Sequence, residues 1–122
     1  MRIHQLGPLD GPDLPLLAER IKTPAPGPAE LLIRVHACGV CHTEIDEIEG
    51  RTPPAHLPMT PGHQVVGTVV SEGPDCRRQL LRQRVGVAWI HSACGVCSWC
   101  LEGRENLCPD FRACGRDLSL IH

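Results

Sequence analysis

The sequence contains no tyrosine, and its only aromatic residues are Trp89, Trp99 and Phe111. Its core must therefore be built from valine, leucine, isoleucine and alanine. No apolar run approaches the roughly 18 residues that a membrane span needs. The N-terminal residues MRIHQLGPLDGPD also lack the unbroken apolar stretch of a secretory signal. We therefore expect no membrane partner and a cytoplasmic location.

The chain also lacks an excess of basic charge. Twelve lysines and arginines against fourteen aspartates and glutamates give a net charge of −2, which argues against a dedicated nucleic-acid-binding protein. A basic cluster does occur at Arg77, Arg78, Arg82 and Arg84. Because no aromatic residue is interleaved with it, we interpret this cluster as a solvated loop. We expect no nucleic-acid partner.

Twelve glycines and twelve prolines in 122 residues argue against a helical bundle. Short β-branched segments predict strands at 31–37, 65–70 and 85–90, with weaker strands at 1–6 and 17–23. One short helix is predicted to begin near Thr43, which forms a helix-start box with Asp46, and to end at Gly50. These elements indicate a mostly β fold, arranged as a small and partly open barrel.

Eight cysteines and seven histidines are the unusual part of the composition. In a reducing cytosol, clustered cysteines favour metal binding over disulfides. Four of them follow the pattern C-x2-C-x2-C-x7-C, at Cys94, Cys97, Cys100 and Cys108. Four thiolates this close can enclose one tetrahedral zinc ion, and a site filled by four cysteines has no open position for catalysis. The pattern therefore predicts a structural zinc site.

Two other interpretations of the four-cysteine cluster stay open. The C-x2-C-x2-C run that ends in Cys-Pro resembles bacterial iron–sulfur ligation and an electron-transfer protein, although the last gap there is shorter than the seven residues here. The loop could also hold disulfides or simply reduced thiols. Neither alternative is favoured by the spacing.

A second group of candidate ligands lies upstream. The segment A-C-G-V-C-H-T-E contains Cys38, Cys41 and His42, and the segment P-G-H-Q-V-V-G contains His63. Taken alone, the two cysteines with His42 suggest a zinc knuckle, and His63 is more often a structural histidine. Neither segment decides its own role. Cys38 and Cys76 are interpreted as small buried hydrophobic residues, and Cys114 has no assigned role.

In this order, the two segments and the four-cysteine loop closely resemble the N-terminal half of the medium-chain, zinc-dependent alcohol dehydrogenases. The resemblance implies a mostly β, GroES-like barrel that is partly open, with one short helix and a zinc-stapled loop. It covers residues 1–117, with the structural-zinc lobe at 94–108, and leaves 118–122 as an unmatched tail. The family's cofactor-binding Rossmann domain has no counterpart in this sequence.

The resemblance also implies site residues and cofactors. Cys41 and His63 match ligands of the family's catalytic zinc, and Thr43 matches the hydroxyl that hydrogen-bonds the alcohol. His42 matches a position that faces the pyrophosphate of NAD or NADP. Glu44 matches a carboxylate that orients the zinc-binding histidine. Gln64 directly follows that histidine in the sequence and is expected in the same surroundings. The four lobe cysteines match the structural-zinc ligands. The implied reaction is oxidation of a small alcohol to an aldehyde or ketone, in proteins that can be homo-oligomers.

Several positions depart from the family pattern. Gln64 replaces a glutamate, so a negative charge near the metal is lost, and Asp46 stands where many members have a proton-relay histidine. Arg82-Gln-Arg84 replaces Gly-Asp-Arg, which puts a tight turn in doubt. The family's third catalytic-zinc ligand and its G-x-G-x-x-G turn are missing. We therefore expect a truncated or frame-shifted chain that is inactive alone. A non-enzymatic zinc-binding interaction module is the alternative function.

Overall fold

Short β-strands carry most of the regular structure in the computed structural model, which describes residues 1–120. In chain order the elements are β1 (Arg2–Ile3), β2 (Leu16–Leu17), β3 (Leu31–Cys38), α1 (His42–Ile48), β4 (Val65–Glu72), β5 (Arg84–Val87), β6 (Ile90–Ser92), α2 (Ser98–Leu101), a 3₁₀ turn (Glu105–Leu107) and β7 (Arg112–Ala113). None of the helices in this described part is long and apolar enough to cross a membrane.

Three antiparallel strands form the central sheet, in the order β3-β4-β5. Two smaller antiparallel pairs, β1 with β2 and β6 with β7, lie outside it. The sheets are open rather than closed into a complete barrel. The predicted fold class, mostly β with a partly open barrel, is therefore confirmed.

Gly67 sets how closely the central strands approach one another. It lies opposite Val35 of β3 and opposite Val85 of β5. A Cβ atom at this position would lie 2.5 Å from the Arg34 carbonyl oxygen and 2.5 Å from Cγ2 of Ile33. Any side chain here would force β3 away from β4, so the packing of the sheet requires glycine.

The strand predictions were right in place and less accurate in extent. The predicted strand at 85–90 is two strands, because β5 pairs with β4 whereas β6 pairs with β7. The weaker predictions shrink to the two-residue strands β1 and β2, and most of 17–23 has no strand structure. A continuous run of apolar residues does not show where the chain leaves one sheet and enters another.

Helix α1 begins earlier than predicted and with a different cap. Cys41 is the N-cap residue: its Sγ accepts a hydrogen bond from the Thr43 backbone N–H at 3.4 Å. Glu44 completes the cap, since its Oε2 accepts from the Cys41 backbone N–H at 2.8 Å. The predicted cap at Thr43 with Asp46 was therefore wrong. The predicted end is correct, because Gly50 follows the helix with φ of 82°.

The turn that leads into β5 forms despite its departure from the family pattern. The Gln83 backbone N–H donates to the Leu80 carbonyl at 2.8 Å, and the Arg82 N–H donates to the Val69 carbonyl at 2.9 Å. Arg82 adopts the left-handed conformation, with φ of 67°, which costs a non-glycine residue about 1–2 kcal/mol. The turn therefore forms with arginine in place of glycine, and the backbone of Arg82 is strained.

The core is small and contains one buried acid that has no ion-pair partner within 1–120. Its apolar members are Ile3, Met59, Val65, Val69 and Ile48, with Cys108, Ala113 and Cys114. Glu47 of α1 lies among them with 1% of its surface exposed, and its Oε2 has no hydrogen-bond partner. Burial, reinforced by the charge of Glu44, raises the pKa of Glu47 to about 7.

Glu47→Gln is expected to remove a pH-dependent loss of stability. The folded chain holds a proton on Glu47 up to about pH 7, whereas the unfolded chain releases it near its ordinary pKa. Stability therefore falls as pH rises between these two values. From pH 5 to pH 8 the variant should gain about 2 kcal/mol over the wild type, measured by urea unfolding.

Glu105→Gln is the matched control, since Glu105 is exposed in the 3₁₀ turn. It should shift stability equally at both pH values. A Glu47→Gln gain that does not grow with pH would show that Glu47 is ionised in the folded protein.

Candidate metal centres

The sulfur atoms of the four lobe cysteines converge on one point. The Sγ atoms of Cys94, Cys97, Cys100 and Cys108 all lie within 4.8 Å of one another. Cys97 is the N-cap residue of α2 and Cys100 lies inside that helix, so one helical turn sets their spacing. The 3₁₀ turn then returns the chain to Cys108. A local stretch of sequence thus supplies the whole cluster.

The sulfur–sulfur distances fit a single tetrahedral ion. Sγ of Cys100 lies 3.5 Å from that of Cys97 and 3.9 Å from that of Cys94. Zn–S bonds of about 2.3 Å in a tetrahedron place sulfurs about 3.8 Å apart. A disulfide needs about 2.05 Å, and all eight cysteines are free. An iron–sulfur cluster distributes its cysteines over several irons, so the close spacing favours one zinc ion.

The thiols of the lobe differ in their acidity. Backbone N–H groups of Val96 and Cys97 stabilise the Cys94 thiolate and lower its pKa to about 6. At Cys100 the shift has the opposite direction, because burial disfavours the thiolate and raises the pKa to about 12. The lobe therefore starts from a mixture of ionised and protonated sulfurs. A bound cation must displace protons from the latter.

A second cluster joins the start of α1 to the start of β4. Sγ of Cys41 lies 3.4 Å from Nε2 of His63, close to the roughly 3.6 Å expected when both atoms bind one tetrahedral zinc. Nδ1 of His63 lies 2.7 Å from Oε1 of Glu44. His63 and Glu44 are buried, with 7% and 5% of their surfaces exposed. The chemistry of the Cys and His donors suits zinc.

Glu44 acts on both sides of this cluster. Its Oε2 accepts from the Cys41 backbone N–H, and its Oε1 faces His63 Nδ1. Oε1 is 2.7 Å from Nδ1 but is not aligned for a hydrogen bond. The carboxylate thus lies behind the histidine, and Nε2 is the ring nitrogen that faces Cys41. Such carboxylate–histidine pairs fix the ring orientation and raise the basicity of a metal-binding histidine.

The backbone before His63 is shaped by a close contact. Gly62 has φ of 123°, and a Cβ on it would lie 2.8 Å from Sγ of Cys38. Glycine therefore permits both the conformation and the approach of the His63 segment to the end of β3.

Thr43 and His42 lie on the exposed side of α1. The Thr43 hydroxyl has no hydrogen-bond partner among residues 1–120, and both side chains are exposed. His42 Nε2 lies 3.6 Å from Oδ1 of Asp46, and the same carboxylate binds the guanidinium of Arg51. Arg51 is a contact that the sequence analysis missed, because nothing in its spacing from Asp46 marks the pair.

Three further residues, Gln64, Cys38 and Cys76, lie in surroundings different from those that the sequence predicted. Gln64 is exposed, and its Oε1 lies over Gly39, where a Cβ would be 2.7 Å away. No hydrogen bond or ion pair within the described chain joins it to Cys41 or His63. Cys38 and Cys76 are half-buried rather than buried. Each thiol donates to a nearby carbonyl oxygen, of Gly39 and Glu30 respectively.

Zinc binding to the lobe should strengthen as pH rises. Cys100, with a pKa of about 12, is protonated in the metal-free lobe at neutral pH, so binding releases at least one proton. The affinity should rise by about tenfold per pH unit for each proton released. Competition with a chromophoric chelator between pH 6.5 and 8 measures this slope.

Cys76→Ser is the control, because Cys76 lies outside the cluster, and it should preserve both affinity and slope. Cys100→Ser should lose most of the affinity. A slope of zero in the wild type would mean that the lobe binds zinc with its thiols already ionised.

Comparison with known proteins gives a consistent result. Residues 27–119 match the family described as the alcohol dehydrogenase GroES-like domain. Over 121 residues the chain is 40% identical to "Probable alcohol dehydrogenase AdhA" of Mycobacterium tuberculosis, covering 95% of this chain and 34% of that protein. The chain thus spans about a third of the length of this curated relative.

Solved structures agree with the sequence comparison. A protein of Sinorhizobium meliloti 1021, solved bound to NADP, superposes with a TM-score of 0.74 at 32% identity, covering 97% of this chain and 32% of the other. The cobalt- and zinc-bound thermostable alcohol dehydrogenase of Pyrobaculum aerophilum gives a TM-score of 0.77 at 26% identity, covering 97% and 35%. The chain therefore belongs to the medium-chain, zinc-type alcohol dehydrogenase family and carries its GroES-like N-terminal domain.

Proposed function

We propose that this chain supplies the metal-binding part of an NAD(P)-dependent zinc alcohol dehydrogenase. The observation that carries the proposal is the 3.4 Å approach of Cys41 Sγ to His63 Nε2, with Glu44 behind the histidine at 2.7 Å. Two such ligands, held from residues 22 positions apart in the chain, leave a tetrahedral zinc room for a third protein ligand and for water or substrate, which is the arrangement of a catalytic zinc site.

In this proposal each residue near the cluster has one task. Cys41 and His63 hold the zinc, and Glu44 keeps His63 Nε2 directed at it. A zinc ion bound here supplies a Lewis acid that makes a bound alcohol more acidic. Thr43, two residues after Cys41 and with its hydroxyl unengaged, would accept a hydrogen bond from the hydroxyl of that alcohol. His42 faces the phosphates of NAD or NADP.

The lobe has a separate task in the proposal. Cys94, Cys97, Cys100 and Cys108 hold a second, structural zinc ion, because four sulfurs leave it no open position. The domain boundaries of 1–117 and the tail at 118–122 stay predictions, and residues 121 and 122 lie outside the described residues. A cytoplasmic location, a small alcohol or aldehyde as substrate and homo-oligomers of the whole enzyme belong to the same proposal.

The alternative is a non-enzymatic zinc-binding module that makes protein contacts. The observation in its favour is that the lobe forms a complete four-ligand cluster from 15 residues of sequence, independent of the Cys41 cluster. An iron–sulfur electron-transfer protein is the weaker alternative, against which the sulfur spacing weighs. Zinc stoichiometry separates the three.

Glu44→Gln should weaken metal binding at the Cys41 cluster while leaving the lobe unchanged. Loss of a carboxylate behind a metal-binding histidine typically costs about 10–100-fold in affinity. Native mass spectrometry across a zinc titration should show two zinc ions per wild-type chain. The second ion should require a correspondingly higher zinc concentration in the variant.

Glu105→Gln again serves as the control, since Glu105 is exposed and distant in sequence from both the helix and His63. Cys41→Ala and His63→Ala should each leave a single zinc. A wild-type chain that binds only one zinc at every concentration would favour the non-enzymatic module, and iron with acid-labile sulfide would favour the electron-transfer protein.

The 122-residue chain alone is expected to show no NAD(P)-dependent oxidation of ethanol. Every named strand pair within residues 1–120 is antiparallel, whereas a doubly wound nucleotide-binding fold needs parallel strands with connecting helices. The measurement is nicotinamide reduction at 340 nm in the presence of zinc. Turnover above the background of a Cys41→Ala variant would contradict the expectation.

A further inference from the structure

One row of side chains crosses the outer face of the central sheet. Thr68 of β4 lies directly opposite Arg34 of β3 and directly opposite Arg84 of β5. Residues paired in this way in an antiparallel sheet point to the same face. Val69, the next residue along β4, is buried and points to the other face. The sheet register therefore places a hydroxyl between two guanidinium groups on the exposed side of the sheet.

Neither arginine of this row is neutralised inside the described chain. Arg34 and Arg84 are exposed, and within residues 1–120 their guanidinium groups form no hydrogen bond, ion pair or ring contact. Glu72 lies four residues from Thr68 along β4, and its carboxylate accepts from the Leu80 backbone N–H instead. This face therefore carries two uncompensated positive charges in a chain of net charge −2, which favours an anion as its ligand.

The spacing of the two arginines suits a small tetrahedral anion. Neighbouring strands lie about 4.8 Å apart, so the backbones of β3 and β5 are separated by about 10 Å. Long side chains that lean over the central strand from either side can meet above it. Each guanidinium offers a planar pair of N–H donors that matches two oxygens of a phosphate. A carboxylate has only two oxygens, whereas a phosphate has enough oxygens for both arginines.

Thr68 supplies a donor below the two guanidinium groups. Its Oγ1 lies 3.4 Å from Nε2 of His36, a residue of β3. A hydroxyl accepts and donates at the same time, so Thr68 can accept from the His36 N–H and direct its own proton towards an anion. Thr68 is half-buried, and its position is set by the central strand.

The surface on either side of Thr68 is apolar. Val66 and Val70 point to the same face, two residues away in each direction, and each is 38% exposed. Gly86 lies opposite Val66, and a Cβ there would meet only the Val65 carbonyl oxygen, at 3.9 Å. The sheet is therefore flat and open beside Val66, which leaves room for an organic group attached to a bound phosphate.

The composition of this surface favours an aliphatic group over a nucleotide base. Proteins stack bases on aromatic side chains, and the aromatic residues of this chain are engaged elsewhere. Trp89 contacts Phe111. Trp99 lies in the lobe, beneath the guanidinium of Arg104. The side chains available beside the row are valines, on which an alkyl chain packs well.

We propose that the row of Arg34, Thr68 and Arg84 binds the phosphate group of a small aliphatic phosphate monoester, whose alkyl chain lies over Val66 and Gly86. The phosphate oxygens accept hydrogen bonds from both guanidinium groups and from the Thr68 hydroxyl. None of these residues belongs to either metal cluster, so the site does not depend on the proposed dehydrogenase function.

NMR titration of the ¹⁵N-labelled, zinc-loaded chain with butyl phosphate tests this proposal. At constant ionic strength the amide signals of residues 34, 68 and 84 should shift and saturate by about 20 mM. Arg34→Gln and Arg84→Gln should each weaken binding about tenfold, because each removes charge-assisted hydrogen bonds. The dispersion of each spectrum verifies that the variant is folded.

Arg20→Gln is the matched control, since Arg20 is also exposed and unpaired within the described residues. It removes the same charge far from the row and should leave the affinity unchanged. Weakening by Arg20→Gln equal to that by Arg34→Gln, or signals that shift without saturation, would show general ionic attraction and overturn the proposal.

Two further ligands and one variant test the organic part of the monoester. Inorganic phosphate should bind about fivefold more weakly than butyl phosphate, because it buries no apolar surface, and adenosine monophosphate should bind no better than inorganic phosphate. Val66→Thr should remove the preference for butyl phosphate and leave the affinity for inorganic phosphate unchanged. Equal affinity for butyl phosphate and inorganic phosphate, or tighter binding of adenosine monophosphate than of butyl phosphate, would overturn the assignment to aliphatic monoesters.

Discussion

The carboxylate of Glu44 is the interaction on which the candidate catalytic cluster depends. One of its oxygens caps α1 at the Cys41 backbone, and the other contacts the ring of His63 ahead of β4. The same side chain thus fixes where the helix starts and which nitrogen of the histidine faces the thiol. Helix capping and ligand orientation cannot be separated here, because they use two atoms of one group.

The two metal clusters differ in how they are assembled. The lobe draws all its sulfurs from a short stretch in which α2 and the 3₁₀ turn set the spacing, so its geometry depends little on the rest of the fold. The Cys41 cluster depends on the central sheet, because His63 is positioned only when β4 pairs correctly with β3. A perturbation of the sheet should therefore affect the second cluster and spare the first.

This difference also explains what could be predicted from the sequence. The spacing of the four lobe cysteines is a local signal, and it predicted a cluster that the structure brings together. Nothing local connects Cys41 with His63, and their pairing was expected only through a family resemblance. The helix start was misplaced because Thr43 with Asp46 fits the usual capping pattern. The actual cap uses a cysteine, and Asp46 is engaged by Arg51.

Because of the close contact at Gly67, the geometry of the metal site depends on a residue that is not one of its ligands. Gly67 is not one of the candidate metal ligands, yet it determines the separation of β3 from β4, and His63 lies just before β4. A methyl group at this position would change the distance between the two metal-binding atoms without altering either residue. A substitution of Gly67 would therefore impair metal binding as the loss of a ligand does. Inspection of the metal-binding residues alone would not reveal the cause.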